Sequence, residues 1–306
     1  MIKDLAPIIL FIYNRPDHTK KTLEALHDNL YANESVLYVF ADGPKDRASA
    51  DDLNKIAEAR NVVKERLWCK EVILITREKN MKLEDNVIEG ISQIINKHGK
   101  AIILEDDLVT SPFFLQYCNE GLKVYENAKQ VFSINGFMFP IDFSGEPETF
   151  LCPLAISSWG WATWADRWNQ FEKSPMYINE IENNKFLRNR FNFGDYDFFR
   201  MLKDLNTWDI RWYYTAFTRN GLGVFPTRSL VRNIGFDGSG THTGNGNLEQ
   251  ELFNNKIKMK ESNSINHFNY SKMLDFFIKK QDSKLNKLKN RFNKILNITP
   301  PSKSGF

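Results

Sequence analysis

Between residues 7 and 105 the chain presents four short apolar, β-rich runs: PIILFIY at 7 to 13, SVLYVFA at 35 to 41, EVILIT at 71 to 76 and AIILE at 101 to 105. Stretches of helical periodicity separate them, with helices expected to begin near Pro16, Ala48 and Leu83, the last showing Val87, Ile91, Ile94 and Ile95 on one face. Each spacer is long enough for a βαβ crossover. This alternation predicts an α/β fold, a mostly parallel sheet flanked by helices.

In open sheets of this kind ligands bind beyond the carboxyl ends of the strands, so the residues that follow each apolar run carry the functional signal. Strand one runs into Asn14 and Arg15, strand two into Asp42 and Gly43, and strand four into Glu105, Asp106 and Asp107. Three adjacent acids repel one another unless a cation sits among them. Hard oxygen ligands suit Mg²⁺ or Mn²⁺, which keep positions open for phosphate oxygens, and a diphosphate would complete such a shell. Otherwise the acids are solvated or cap the next helix. Capping is the weaker alternative, since Ser111-Pro112 reads as the cap and first turn of the amphipathic helix that follows.

Composition narrows the partners. A chain of 306 residues, 42% hydrophobic and 26% charged, can bury a large core. Its net charge of +3, without zinc-finger spacing or a basic block, argues against nucleic acid. Cys69, Cys118 and Cys152 form no CxxC pair and suggest a reducing cytoplasm. The opening MIKDLAPIILFIYNRP carries Asp4 and no small-residue cleavage pattern, so it reads as a strand and not a signal peptide. No stretch approaches the roughly 20 apolar residues that span a bilayer. Strand one is followed by NRPDH, where a dinucleotide enzyme would show GxGxxG, and no basic glycine-rich loop speaks for a nucleotidyltransferase.

Past residue 130 aromatics crowd in. Trp159, Trp161, Trp164, Trp168, Trp208 and Trp212 suggest a carbohydrate platform, although Trp161, Trp164 and Trp168 recur at helical spacing and read equally as core. Ser157 to Trp161 is the expected donor-sugar loop, because Gly160 permits close backbone approach. NIGFDGSGTHT reads as a glycine-rich lid ending in His242, either a ligand or incidental.

The succession of strand one ending in Asn14-Arg15, ADG at 41 to 43, NMKLEDNVIEGI at 80 to 91, LEDDLVTSPFF at 104 to 114, WGWATWADRW at 159 to 168, and WDIRW through NIGFDGSGTHT resembles bacterial GT-A glycosyltransferases. These are similar in turn to the N-acetylglucosaminyltransferase I group. The resemblance covers roughly residues 7 to 243. It implies a metal-dependent, inverting transfer of a hexosyl or N-acetylhexosaminyl group from a nucleotide sugar, as from UDP, to a carbohydrate or lipid-linked acceptor in surface polysaccharide or glycan synthesis. The last acid of the DXD-like motif, Asp107, would bind Mn²⁺ or Mg²⁺, and His242 would join it from the late loop. Glu105 and Asp106 would face the sugar and ribose, and Arg15 and Asp42 the nucleotide. The family's histidine near the third helix is missing; Lys82, Asp85 and Asn86 stand there, and Lys82 and Asn86 join Asn14, Trp159 and Gly160 as donor-binding candidates.

For the catalytic base the resemblance points to Asp209 in TWDIRW, ahead of Gly221 to Pro226, with Asp195 and Asp197 in reserve. Asp209 also reads as a helix N-terminal acid with Thr207 capping. The organisation implied is a nucleotide-sugar half over 1–130, an acceptor and catalytic half of the same domain over 131–265, and a basic amphipathic tail over 266–306. The tail suits an anionic membrane surface, self-association or packing on the domain. A nucleotidyltransferase or a non-catalytic sugar-binding protein are the competing functions.

Overall fold

A computed structural model describes residues 4–143, 145, 148–205, 207–238 and 251–278. Its first half follows the expected alternation: β1 (Ile8–Ile12), α1 (Pro16–His27), β2 (Val36–Ala41), α2 (Ala50–Lys64), β3 (Glu71–Thr76), α3 (Lys82–His98) and β4 (Lys100–Glu105). There follow β5 (Leu108–Thr110), α4 (Phe114–Val124), β6 (Val131–Asn135), β7 (Thr149–Cys152), β8 (Trp161–Trp164) and α5 (Ala165–Trp168). The rest comprises α6 (Ile178–Asn183), α7 (Lys185–Phe191), α8 (Phe198–Asp204), α9 (Trp208–Thr218), β9 (Leu222–Pro226), β10 (Val231–Asn233) and a helix over 267–278.

Among the described residues eight strands form one sheet in the order β3-β2-β1-β4-β8-β6-β9-β7. Strands β3, β2, β1 and β4 run parallel; β8 enters antiparallel to both β4 and β6, while β6 and β9 are again parallel. The architecture is therefore α/β, parallel in the half that carries the acidic motif and mixed beyond it. A separate two-stranded ribbon pairs β10 with β5, directly after the acids.

Strand geometry divides the core in two. Side chains alternate across a pleated strand, so Ile8, Leu10 and Ile12 pack with α1, α2 and α4, while Ile9 and Phe11 pack with α3 and α9. The expected face of α3 is the observed one: Val87, Ile91, Ile94 and Ile95 are buried. Ser111 does not cap α4. Its backbone carbonyl accepts from Phe114 N–H at 3.0 Å in a preceding turn, and its hydroxyl donates to the Phe253 carbonyl at 2.8 Å.

One reading of periodicity is corrected. Trp161 and Trp164 lie on a strand, not a helix, so a three-residue step sends them to opposite faces: Trp161 joins Trp168, Trp208 and Trp212 in one core, and Trp164 enters the other. The start of the tail is a packing helix, with Met273 wholly buried and Phe277 nearly so against the α3 and α9 core. Residues 279–306 lie outside the described residues, and no described helix is long and apolar enough to cross a membrane.

Candidate functional site

The turn out of β1 sets the first element of the site. Pro16 occupies the first turn of α1, where its missing N–H costs nothing, and Arg15 takes the N-cap position with non-helical backbone. That geometry aims the Arg15 guanidinium across to β4. It donates to both Asp106 and Asp107, the latter at 3.1 Å, and all three side chains are at most 18% exposed. Burial opposes the guanidinium's charge, but the two carboxylates outweigh it and hold Arg15 more firmly protonated than usual. Asp106 is fixed further: its carboxylate accepts from Tyr13 N–H at 3.4 Å, and its backbone carbonyl from the Thr22 hydroxyl at 2.8 Å. Burial raises the Asp106 pKa, and Arg15 pulls against that rise.

Glu105, the last residue of β4, pairs in register with Phe11. Burial pushes its pKa well above the usual carboxylate range; the charges of Asp107, Asp106 and Asp209 add to the rise and Arg15 opposes it. Asp209 thus belongs to the same electrostatic cluster. It reaches the site from the first turn of α9, more than a hundred positions along the chain, and accepts a hydrogen bond from the Thr207 hydroxyl. Thr207 sits at the N-cap but makes no side-chain cap bond to the helix backbone. Two residues on, buried Arg211 pairs with Glu84 in the first turn of α3 and donates to the Lys173 carbonyl at 2.8 Å, which ties α9 to α3.

The remaining donor candidates are more scattered in role. Asp42 is buried, and its carboxylate accepts from Gly43 N–H at 2.8 Å, Met81 N–H at 2.9 Å and Asn80 Nδ2 at 3.0 Å. It is a clasp between the β2 exit and the start of α3, with one lone pair of Oδ2 left over. Asn14 donates to Asp52 at 3.3 Å. Lys82 is exposed at the head of α3 with φ +65°, its N–H bonded to Asn80 Oδ1 at 3.1 Å. Asn86 is buried in the next turn, and its Oδ1 has no partner among the described residues. An unpaired buried acceptor costs about 1–3 kcal/mol.

Gly160 is required by packing. Its φ is +70°, and a Cβ there would meet Val231 Cγ2 at 2.8 Å. Trp159 beside it is half-buried, edge-on to Phe137 at 4.5 Å and to Phe236 at 5.5 Å. The five tryptophans Trp161, Trp164, Trp168, Trp208 and Trp212 are buried, which removes them as an open sugar platform. Gly235, at the start of the expected lid, lies so close to the acids that a Cβ would fall 2.2 Å from Asp107 Oδ2 and 3.1 Å from Arg15. His242 lies outside the described residues, as does 239–250 as a whole. Of the reserve acids, Asp197 caps α8 by accepting from Arg200 N–H at 3.0 Å, and Asp195 is exposed in the preceding turn.

One residue emerges that periodicity and motif reasoning passed over. Tyr196 is 45% exposed, and the Asp209 carboxylate contributes, after burial, to raising its pKa. The signal lay in FGDYDFF, where an aromatic sits between two acids in a glycine turn.

The arrangement can hold an anion through Arg15, accept hydrogen bonds from hydroxyl groups at Glu105 and Asp106, and take up a proton at Asp209. No protein-family model matches the sequence, and no curated protein does. Solved structures that resemble it include S. aureus TarS, at a TM-score of 0.35 and 11% identity over 68% of this chain and 34% of that one. Another is residues 1-349 of TarS in complex with UDP, at 0.29 and 11% over 46% and 38%. A third is the apo structure of the bifunctional glycosyltransferase WbbM, at 0.30 and 10% over 70% and 38%. The chain spans less than two-fifths of the length of each.

Proposed function

We propose that this protein is an inverting glycosyltransferase of the GT-A type that moves a hexosyl or N-acetylhexosaminyl group from a UDP-sugar to a carbohydrate or lipid-linked acceptor. The observation that carries the reading is the convergence of Glu105, Asp106 and Asp107 around Arg15 at the carboxyl end of β4, with Asp209 delivered to the same acids from α9. An acid cluster with a resident arginine suits a ligand that is anionic at one end and hydroxyl-rich at the other. A nucleoside diphosphate sugar is such a ligand.

In this reading Arg15 contacts the diphosphate, while Glu105 and Asp106 accept from sugar and ribose hydroxyls. Asp42 shapes the loop beneath the nucleotide and has one lone pair to offer the ribose. Asn14, Lys82, Asn86, Trp159 and Gly160 complete the donor side. The acceptor oxygen forms its bond to the anomeric carbon as the bond from that carbon to the phosphate oxygen breaks. The diphosphate leaves with the electron pair, and the acceptor proton passes to Asp209.

Among the described residues no three Asp, Glu, His or Cys side chains converge as a ready metal cage. Mg²⁺ and Mn²⁺ need only one or two carboxylates besides phosphate oxygens, and the crowding of acids against Glu105 favours a cation among them, so the donor set fits one. Asp107 would hold it, joined by His242 as the family resemblance implies. Bound there, the ion would offset the charge of the departing diphosphate. A role at the cytoplasmic face of a membrane in surface polysaccharide synthesis, with contact or self-association through residues 266–306, belongs to the same proposal.

A thermal-shift series with UDP and UDP-sugars, with and without Mn²⁺, tests it. A ligand at a hundred times its Kd adds about 2.7 kcal/mol to the native state, enough to raise the melting temperature by several degrees. Stabilisation by at least one UDP-sugar, lost in Arg15→Ala, is expected. No shift with any of them, in either metal condition, overturns the reading.

A further inference from the structure

We propose that Tyr196 is the stacking platform for a hexopyranosyl unit of the acceptor, holding the sugar so that one of its hydroxyls faces Asp209. This rests on the transferase reading above and assigns the acceptor side of the same site. A pyranose offers one face of aligned C–H groups and a rim of hydroxyls. It is recognised by an open aromatic face set beside a carboxylate, provided the ring is rigid enough that binding does not pay to order it.

The obvious aromatics fail the first requirement, because the tryptophan cluster is core. Tyr196 meets all three. The residue is 45% exposed, and its ring packs on Phe198, which in turn packs at 4.8 Å on Tyr213, one turn along α9 from Asp209. Its backbone is locked by a two-residue turn in which Phe193 N–H donates to the Tyr196 carbonyl at 3.2 Å and Tyr196 N–H returns a bond at 3.0 Å. Gly194 in that turn has φ +60°, and a Cβ there would meet Phe277 Cβ at 3.3 Å and the Leu274 carbonyl at 3.4 Å, so the turn is seated on the 267–278 helix. Asn192 braces it from the other side, donating to Asp197 at 3.1 Å and accepting from Phe199 N–H at 2.9 Å.

The ring is also supported from behind, by Phe198 at 4.8 Å and by the edge of Phe277 at 5.7 Å. Phe277 continues through Phe139 and Phe137 to Trp159 and Phe236, each neighbour 4.5–5.5 Å from the next. Phe236 directly follows Gly235, which abuts Asp107 and Arg15. A continuous line of ring contacts therefore links Phe236, next to the acids proposed for the donor, through the core at Phe137 and Phe277 to Tyr196, its exposed end.

Saturation-transfer NMR on the full chain with UDP present tests this, using the methyl glycosides of glucose, galactose, mannose and N-acetylglucosamine as probes. Ring protons of at least one glycoside should be saturated by the wild type, kept by Tyr196→Phe and Tyr196→Trp, and weakened about tenfold or more by Tyr196→Ala and Tyr196→Leu. The leucine variant keeps an apolar body over Phe198 and Phe277, so its folding is expected to be preserved. Undiminished saturation in both the alanine and the leucine variants overturns the platform, as does equal loss in the phenylalanine variant, which would make the hydroxyl and not the ring the contact. So does a wild type that binds UDP but none of the glycosides. Glycoside binding through Tyr196 in a protein that ignores UDP would instead sink the transferase reading and leave the platform standing.

Discussion

Asp209 and Asp42 are both aspartates near the sheet's carboxyl edge, and their surroundings separate them. Asp42 accepts three hydrogen bonds from its own chain, two of them from backbone N–H groups. Asp42→Ala orphans these donors in a buried position, at about 1–3 kcal/mol for each that water cannot reach, so a loss of about 2–4 kcal/mol is expected in urea unfolding. Among the described residues the Asp209 side chain accepts one hydrogen bond, from Thr207, and its charge adds to the rise at buried Glu105. Asp209→Asn should leave the melting temperature and the UDP-induced shift close to wild type while slowing UDP release on adding acceptor by about 10² to 10⁴. An undiminished rate would remove Asp209 as the base. The sequence places both acids after apolar runs or before helices and cannot distinguish a carboxylate saturated by its own chain from one left open, since two of Asp42's three donors, Asn80 Nδ2 and Met81 N–H, come from residues 38 and 39 positions away.

The β10–β5 ribbon is the element that brings backbone against the acids. Ile234 N–H donates to the Asp107 carbonyl at 2.8 Å, and Gly235 follows with no room for a side chain. Gly235→Ala must displace Asp107 or the backbone of 234–236, so the expected result is a UDP-induced thermal shift reduced by about half or more, with a modest loss of intrinsic stability. An unchanged shift would show that Asp107 and Arg15 can relax away. Elements with strong local signals were readable: β3 matches the expected 71 to 76, and the other three strands and three helices start or stop within about two residues of expectation. β8 was not, because four residues cannot declare a period and Trp161 and Trp164 suit a helix as well as a strand. Its identity is set by pairing with β4 and β6, which is tertiary information. Tyr196 escaped for a related reason, since exposure is decided by what packs around a residue.

The chain's last described segment belongs to the body of the fold. Met273 and Phe277 enter the same core as α3 and α9, and Tyr270 packs edge-on to Phe193 at 5.7 Å. Phe277→Ala is expected to cost about 3–5 kcal/mol by chemical denaturation, and a chain ended at 265 more than that. A deletion meant to test membrane contact must therefore begin beyond 278 to be read as a binding experiment. The antiparallel strand β8 has a mechanical consequence as well. By bonding β4 on one side and β6 on the other it rivets the acid-bearing strand to the half of the sheet from which α9 is suspended. The two halves form one plate without a hinge line, and swinging them apart would mean tearing a ladder of backbone bonds. A ligand held at the acids would have to enter and leave without parting the two halves of the sheet.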